Sequence, residues 1–237
     1  MCPSIDLAQV QKKEKIMVKN DSTSYEYTVS LGQPLRTKGQ VYFSPKELKH
    51  LAAAALLVIG VGFSAGLYMR NIGSSLMLVL TATAIILATS FFIHEIAHKV
   101  TAQKRGLWAE FRLTTWGALL TLVFMVLPTP FKLISPGAVM ISGSARSDDI
   151  GKISIAGPIT NIILSGALLF AALIPSSIFP ILLLGALING YIALFNLIPI
   201  GILDGFKIFS WDKKIWTLAF GASAVLLAIS YFMFYSY

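Results

Sequence analysis

The chain has 237 residues, 56% of them apolar and only 13% charged, with a formal net charge of +8 and a mean hydropathy of +0.75. A soluble domain carries about 25% charged residues, so this composition excludes a globule wetted on all sides. The basic excess is dispersed rather than gathered into one stripe, which argues against a nucleic-acid partner.

Residues 1–46 read as a polar, cytoplasmic tail. Met1–Asn20 has lysines but neither the apolar core nor the small-residue cleavage site of a signal peptide. Cys2 is the sole cysteine, so no internal disulfide forms. Tyr25, Tyr27, Val29 and Leu31 alternate with polar residues, the pattern of a short strand, and Val41–Phe43 offers it a partner. From residue 47 to 237 the chain reads as one membrane-embedded domain. Leu51–Met69, Ile72–Ile93, Ile153–Ile174, Phe179–Ile200 and Ile215–Tyr237 contain no charge. Each is close to the roughly 20 residues that cross a bilayer as a helix, and inside lipid only a helix satisfies such a backbone by itself. The expected spans are about 51–69, 72–104, 153–174, 179–200 and 215–237.

In the first span Gly62 and Gly66 form a small-xxx-small pair, the spacing that lets helices approach closely, within the chain or between copies. His50, just before this span, reads as an interfacial residue rather than a ligand. Between the second and third spans, Phe111 and Leu113 alternate with polar residues as in a half-buried strand. Gly117–Leu127 is an apolar run too short to span and is read as re-entrant or interfacial. Ala138–Ser142 is again β-like, and Asp148 and Asp149 are expected to cap the third span. The fold class is an all-α polytopic membrane protein of about five spans, with a short membrane-associated β/re-entrant segment after the second. With the N-terminus in the cytoplasm, 18 of the 19 Lys and Arg fall inside and only Arg70 outside, the positive-inside pattern. The C-terminus is then external.

Near the end of the second span stands His94-Glu95-Ile96-Ala97-His98. On a helix, residues i and i+4 share one face, so two imidazoles can hold one Zn²⁺ with Glu95 beside them as a base. Ionisable side chains inside a span are costly and mark function. A catalytic zinc takes a third protein ligand, and Asp204 is the candidate. It follows Pro199 and Gly201, which interrupt the fourth span, and precedes Gly205, which permits a sharp turn. Both spans run in the same direction. His94 lies about 15 Å from Lys104 along a helix, and Asp204 lies at a broadly similar depth near the cytoplasmic side. Asn161, in Ala156-Gly157-Pro158-Ile159-Thr160-Asn161, reaches the same level from the opposite direction. Its amide serves either a developing oxyanion or the substrate backbone, or else an inter-helix hydrogen bond.

Three elements, His94-Glu95-Ile96-Ala97-His98, Gly157-Pro158-x-x-Asn161 and Asn196-x-x-Pro199-x-x-x-Leu203-Asp204-Gly205, occur in the order found in the site-2 protease family, and the chain resembles its archaeal and bacterial members. The resemblance covers the second to fourth spans. It implies one zinc per chain held by His94, His98 and Asp204, Glu95 as general base and Asn161 as a catalytic helper. It also implies membrane-associated strands that receive an unfolding substrate. The expected partners are a transmembrane protein substrate and the lipid bilayer. No PDZ or CBS domain is evident. Two other readings remain: a metal transporter or channel, which has no need of Glu95, and an inactive scaffold that binds membrane helices.

Overall fold

A computed structural model describes residues 12–20, 23–31, 41–67, 75–129, 132–174 and 177–236. Its elements in chain order are β1 (Lys12–Asn20), β2 (Thr23–Leu31), α1 (Pro45–Gly66), α2 (Leu76–Lys104), β3 (Trp108–Leu113), α3 (Thr115–Val126), β4 (Gly137–Ser142), α4 (Ser147–Ala172), α5 (Phe179–Asn196), α6 (Asp204–Trp211) and α7 (Lys213–Ser236). Five of them, α1, α2, α4, α5 and α7, are long and apolar enough to cross a membrane. The protein is therefore a mostly helical, multi-pass chain with little sheet, as its composition requires.

Burial is arranged for lipid rather than for water. Leu56, Met77, Phe170, Leu218 and Phe232 are each more than 70% exposed, whereas Thr83, Asn161, Ser165 and Ser223 are almost fully enclosed. Lipid tails are as apolar as leucine, so these helices associate through close packing and hydrogen bonds. The glycines of α1 show how. A Cβ on Gly62 would overlap the Ala84 backbone of α2, one on Gly66 would crowd Leu80, and one on Gly60 would strike Met125 of α3. The small-residue stripe is thus spent inside the chain. Between α4 and α5, Ser165 Oγ donates to the Ala186 carbonyl at 2.8 Å.

The segment between α2 and α4 contains both elements expected of it. β3 and β4 pair antiparallel, with Phe111 opposite Val139 and Leu113 opposite Gly137. Between them α3, capped by Thr114 Oγ1 at 3.2 Å from the Gly117 N–H, leaves Trp116 and Val126 exposed. Twelve residues make a helix of about 18 Å, too short to cross.

Three expectations need correction. The strand at Thr23–Leu31 pairs antiparallel with Lys12–Asn20, not with Val41–Phe43, which lies in no strand before α1. Only two residues separate the partners in the sequence, and pairing over so short a separation closes with the least loss of chain entropy. β2 approaches β4 without joining its sheet. The third span starts at Ser147, with Arg146 as N-cap; Asp149 lies inside its first turn and accepts the Arg146 N–H at 3.2 Å. Asp148 lies in the same turn and pairs with Lys152 at 2.7 Å. The fourth span ends at Asn196, because Pro199 lacks an N–H and disfavours helix in the preceding residue. The chain then turns through Gly201 at φ +54° and restarts as α6. Arg70 lies outside the described residues.

Candidate metal centre

The break between α5 and α6 places Asp204 at the first position of α6, beside the last turns of α2. Gly205 is not the turn expected of it. It is helical, and a Cβ there would overlap the Leu197 carbonyl, so its role is to let α6 fold back against the end of α5. Trp216 of α7 holds the same carbonyl through its indole N–H at 2.8 Å. His94, His98 and Asp204 consequently meet, with one ligand atom of each lying within 4.8 Å of the others. Asp204 Oδ2 stands 3.3 Å from His94 Nε2 and 3.0 Å from His98 Nε2. Its second oxygen faces Lys207 Nζ at 3.6 Å.

The far side of each ring decides where the protons are. His98 Nδ1 lies 2.7 Å from the Ile153 carbonyl, which only accepts, so this nitrogen carries the hydrogen. His94 Nδ1 lies 2.6 Å from Asn161 Oδ1. The Asn161 amide nitrogen donates to Asn189 Oδ1 at 2.9 Å and to the Ser90 carbonyl at 3.3 Å, and Asn189 in turn donates to the Gly185 carbonyl. Read from that fixed carbonyl, the amide directions make Asn161 Oδ1 an acceptor and His94 Nδ1 a donor. With Nδ1 engaged in this way, each ring has its Nε2 turned toward the same carboxylate oxygen, and in its neutral form offers a lone pair there.

Two neutral imidazoles and an anion converging in this way form a donor set that a cation at their centre would hold together. The spacing fits one: ligands about 2.0 Å from a tetrahedral ion are about 3.3 Å apart. The fourth side of the site is α4, where Gly157 faces the two histidines. A Cβ on Gly157 would overlap both Nε2 atoms. The donor set of two imidazoles, each with a hydrogen-bond partner behind it, and a carboxylate paired with Lys207 is one that suits zinc.

Glu95 sits half-buried beside this group, near His94, Asp204 and the backbone of Val139 in β4. Next to it a cavity of about 50 Å³ is lined by Phe91, Lys132, Ile134, Tyr191, Phe195 and Asn196 among others, room enough for water. Lys132 is not a free cation there. Its ammonium donates to Ser64 Oγ and to the Phe124 and Leu127 carbonyls at 2.7–3.1 Å, closing the end of α3, and burial lowers its pKa from the usual lysine value.

Over 181 residues, 74% of this chain and 90% of the relative, the sequence is 35% identical to a protein of Methanocaldococcus jannaschii named "Putative zinc metalloprotease". The chain belongs to that metalloprotease family. No family model matches the sequence and no solved structure matches it. Membership in such a family agrees with a site built from two histidines, an aspartate and an interposed glutamate.

The structure brings His94, Glu95, His98, Asn161 and Asp204 to one place. The Asn161 amide is turned to the back of His94, the inter-helix alternative of the two that its position left open. Asn189 escaped notice in the sequence, although a polar amide amid the apolar run of α5 is the signal that marks such residues. His50 is no ligand. It accepts the Leu113 N–H at 3.0 Å.

Proposed function

We propose that this chain is an intramembrane-cleaving zinc endopeptidase of the site-2 type, hydrolysing a peptide bond within or near a transmembrane segment of a protein substrate. The observation that supports it best is the position of the His94, His98 and Asp204 cluster among helices that are long and apolar enough to span, directly beside the exposed strand β4. The positive-inside charge pattern supports a cytoplasmic N-terminus, an external C-terminus and a site toward the cytoplasmic face.

His94, His98 and Asp204 would hold one Zn²⁺. When bound, zinc supplies Lewis acidity that acidifies water and polarises a carbonyl. Glu95 takes the proton of the attacking water and passes it to the leaving amine nitrogen as the C–N bond breaks. Asn161 acts from behind: it fixes the tautomer and plane of His94, as outer partners of metal-binding histidines do.

A helical substrate keeps its peptide bonds covered by its own hydrogen bonds, so a stretch must unwind before hydrolysis. Strand β4 receives that stretch. Phe111 N–H turns away from β4 toward α1. By the alternation of antiparallel pairs, its partner Val139, with Gly137 and Ile141, turns its own backbone groups toward the opposite edge. The Val139 contact with Glu95 places that edge beside the base, so a strand added there passes the catalytic carboxylate.

The test is cleavage of a single-span reporter by purified protein in detergent, beside Glu95→Gln, with zinc measured on both. Wild type is expected to cleave, and the variant to retain zinc while losing about 10²-fold or more of the rate. Equal cleavage by both removes Glu95 as the base. Failure of both to hold zinc after resupply removes the metal assignment. Metal flux through Glu95→Gln vesicles makes the protein a transporter instead.

A further inference from the structure

The two edges of the β3–β4 sheet are built differently. Along the outer edge of β3, three groups spaced two residues apart are each met by a helix side chain. Gln103 Nε2 donates to the Ala109 carbonyl at 3.0 Å, Glu47 Oε1 accepts the Phe111 N–H at 2.8 Å, and His50 Nδ1 accepts the Leu113 N–H at 3.0 Å. This is the repeat at which a neighbouring strand would present its own partners. Glu47 and His50 stand at i and i+3 on one face of α1, and Gln103 follows Lys99 by one turn on α2. Glu47 is itself held. Its other oxygen pairs with Lys99 Nζ, both side chains are fully enclosed, and the ammonium also lies 4.0 Å from the Phe43 ring. Among the described residues no strand other than β3 pairs with β4.

We infer that Glu47, His50 and Gln103 are positioning residues that replace a third strand. They seal β3, leave β4 as the edge for substrate, and set the register at which a substrate strand meets Glu95. The inference rests on the strand-addition reading above. The physical reason is the location of Lys99, one residue after the ligand His98. The clamp ties the sheet to the helix that carries the metal ligands, so the height of β4 relative to those ligands is set by side chains rather than by the loop through α3. A sheet released from the clamp remains paired to itself but slides along α2. Antiparallel pairing recurs every second residue, so such sliding shifts the scissile bond along the substrate.

The experiment uses the full chain in detergent, with mass-spectrometric mapping of the bond cut in a single-span reporter for wild type, His50→Ala, Gln103→Leu, His50→Gln and Ile141→Pro. Zinc content and thermal midpoint are recorded for each. Wild type cuts at one principal bond. His50→Ala and Gln103→Leu, which remove clamp contacts without stranding a buried charge, are expected to keep their zinc and midpoint, lose about tenfold in kcat/KM, and add products displaced by about two residues. His50→Gln restores an acceptor for the Leu113 N–H and should restore the single product. An unchanged bond and unchanged kcat/KM in His50→Ala and Gln103→Leu overturn the inference. So does a fall in zinc or midpoint that accounts for the lost rate, since that is a merely structural role. Ile141→Pro removes an N–H from the open edge and none from the β3–β4 ladder. If it leaves cleavage intact, the strand-addition reading falls. If it blocks cleavage while the clamp variants are silent, only the clamp falls.

Discussion

His98 and Lys99 are consecutive residues of α2, and a rotation of about 100° between them sends their side chains to different neighbours. Lys99 meets Glu47, whose remaining oxygen takes the Phe111 N–H, so the charges and hydrogen-bonding groups on that side answer one another. His98 joins His94 and Asp204, with a hydrogen bond behind each ring and both Nε2 atoms facing one carboxylate oxygen in front. Both clusters are enclosed, and both lie in the last turns of one spanning helix. The first is complete as protein alone. The second is a set of three donor groups arranged to share a cation. In a bilayer, where unpaired charge is costly, that contrast separates a structural polar cluster from a metal site more sharply than burial does.

The contrast can be broken most severely at Gly157. A methyl group in Gly157→Ala occupies the space that faces both Nε2 atoms. Zinc content should fall steeply and cleavage by about 10²-fold or more, with the helical content of the purified protein retained. Metal analysis beside circular dichroism measures both, and a variant with full zinc would show that α4 does not shape the site.

A smaller effect is expected on the other side of α2. Lys99→Met strands the Glu47 carboxylate and should cost about 3–5 kcal/mol of stability. Adding Glu47→Gln keeps an acceptor for the Phe111 N–H while removing the charge, and should recover most of the loss. Thermal unfolding in detergent follows the pair. If the double variant is no better than the single one, the cluster is not closed by charge pairing. No apolar replacement of His94, His98 and Asp204 has a corresponding rescue of function.

The smallest change concerns Asn189, two side chains removed from the metal ligand. Asn189→Ala frees the Asn161 amide to turn, and zinc affinity should drop about tenfold, the low end for outer partners. Competition with a chromogenic chelator measures it. Ser165→Ala, which removes a neighbouring α4–α5 hydrogen bond outside this relay, serves as the comparison and should leave the affinity unchanged.

Much of this molecule was legible before any fold was known, because the relevant signals are local. The spans follow from uninterrupted apolar length, and the two histidines share a face because four residues make about one turn. β3, α3 and β4 follow from alternation and from an apolar run bounded by prolines. The boundaries of α4 and α5 were less exact. Arg146 outdid Asp148 as the cap, and Pro199 ended its helix earlier than the apolar run suggested.

What the sequence determined by itself was therefore the number of spans, the identity of the metal ligands as candidates, and the direction in which each helix carries them. The tertiary structure alone decided that Asp204 meets both histidines, that Gly157 is the floor against which they converge, and that Asn189 stands behind Asn161. It alone also decided that Glu47 and His50 close one edge of a sheet formed about 60 residues later. Apolar length and helical phase depend only on neighbouring residues, whereas hydrogen-bond partners and close backbone approaches depend on which helices pack together. Inside lipid that packing is governed by shape and by buried polar groups rather than by the apolar pattern the sequence displays.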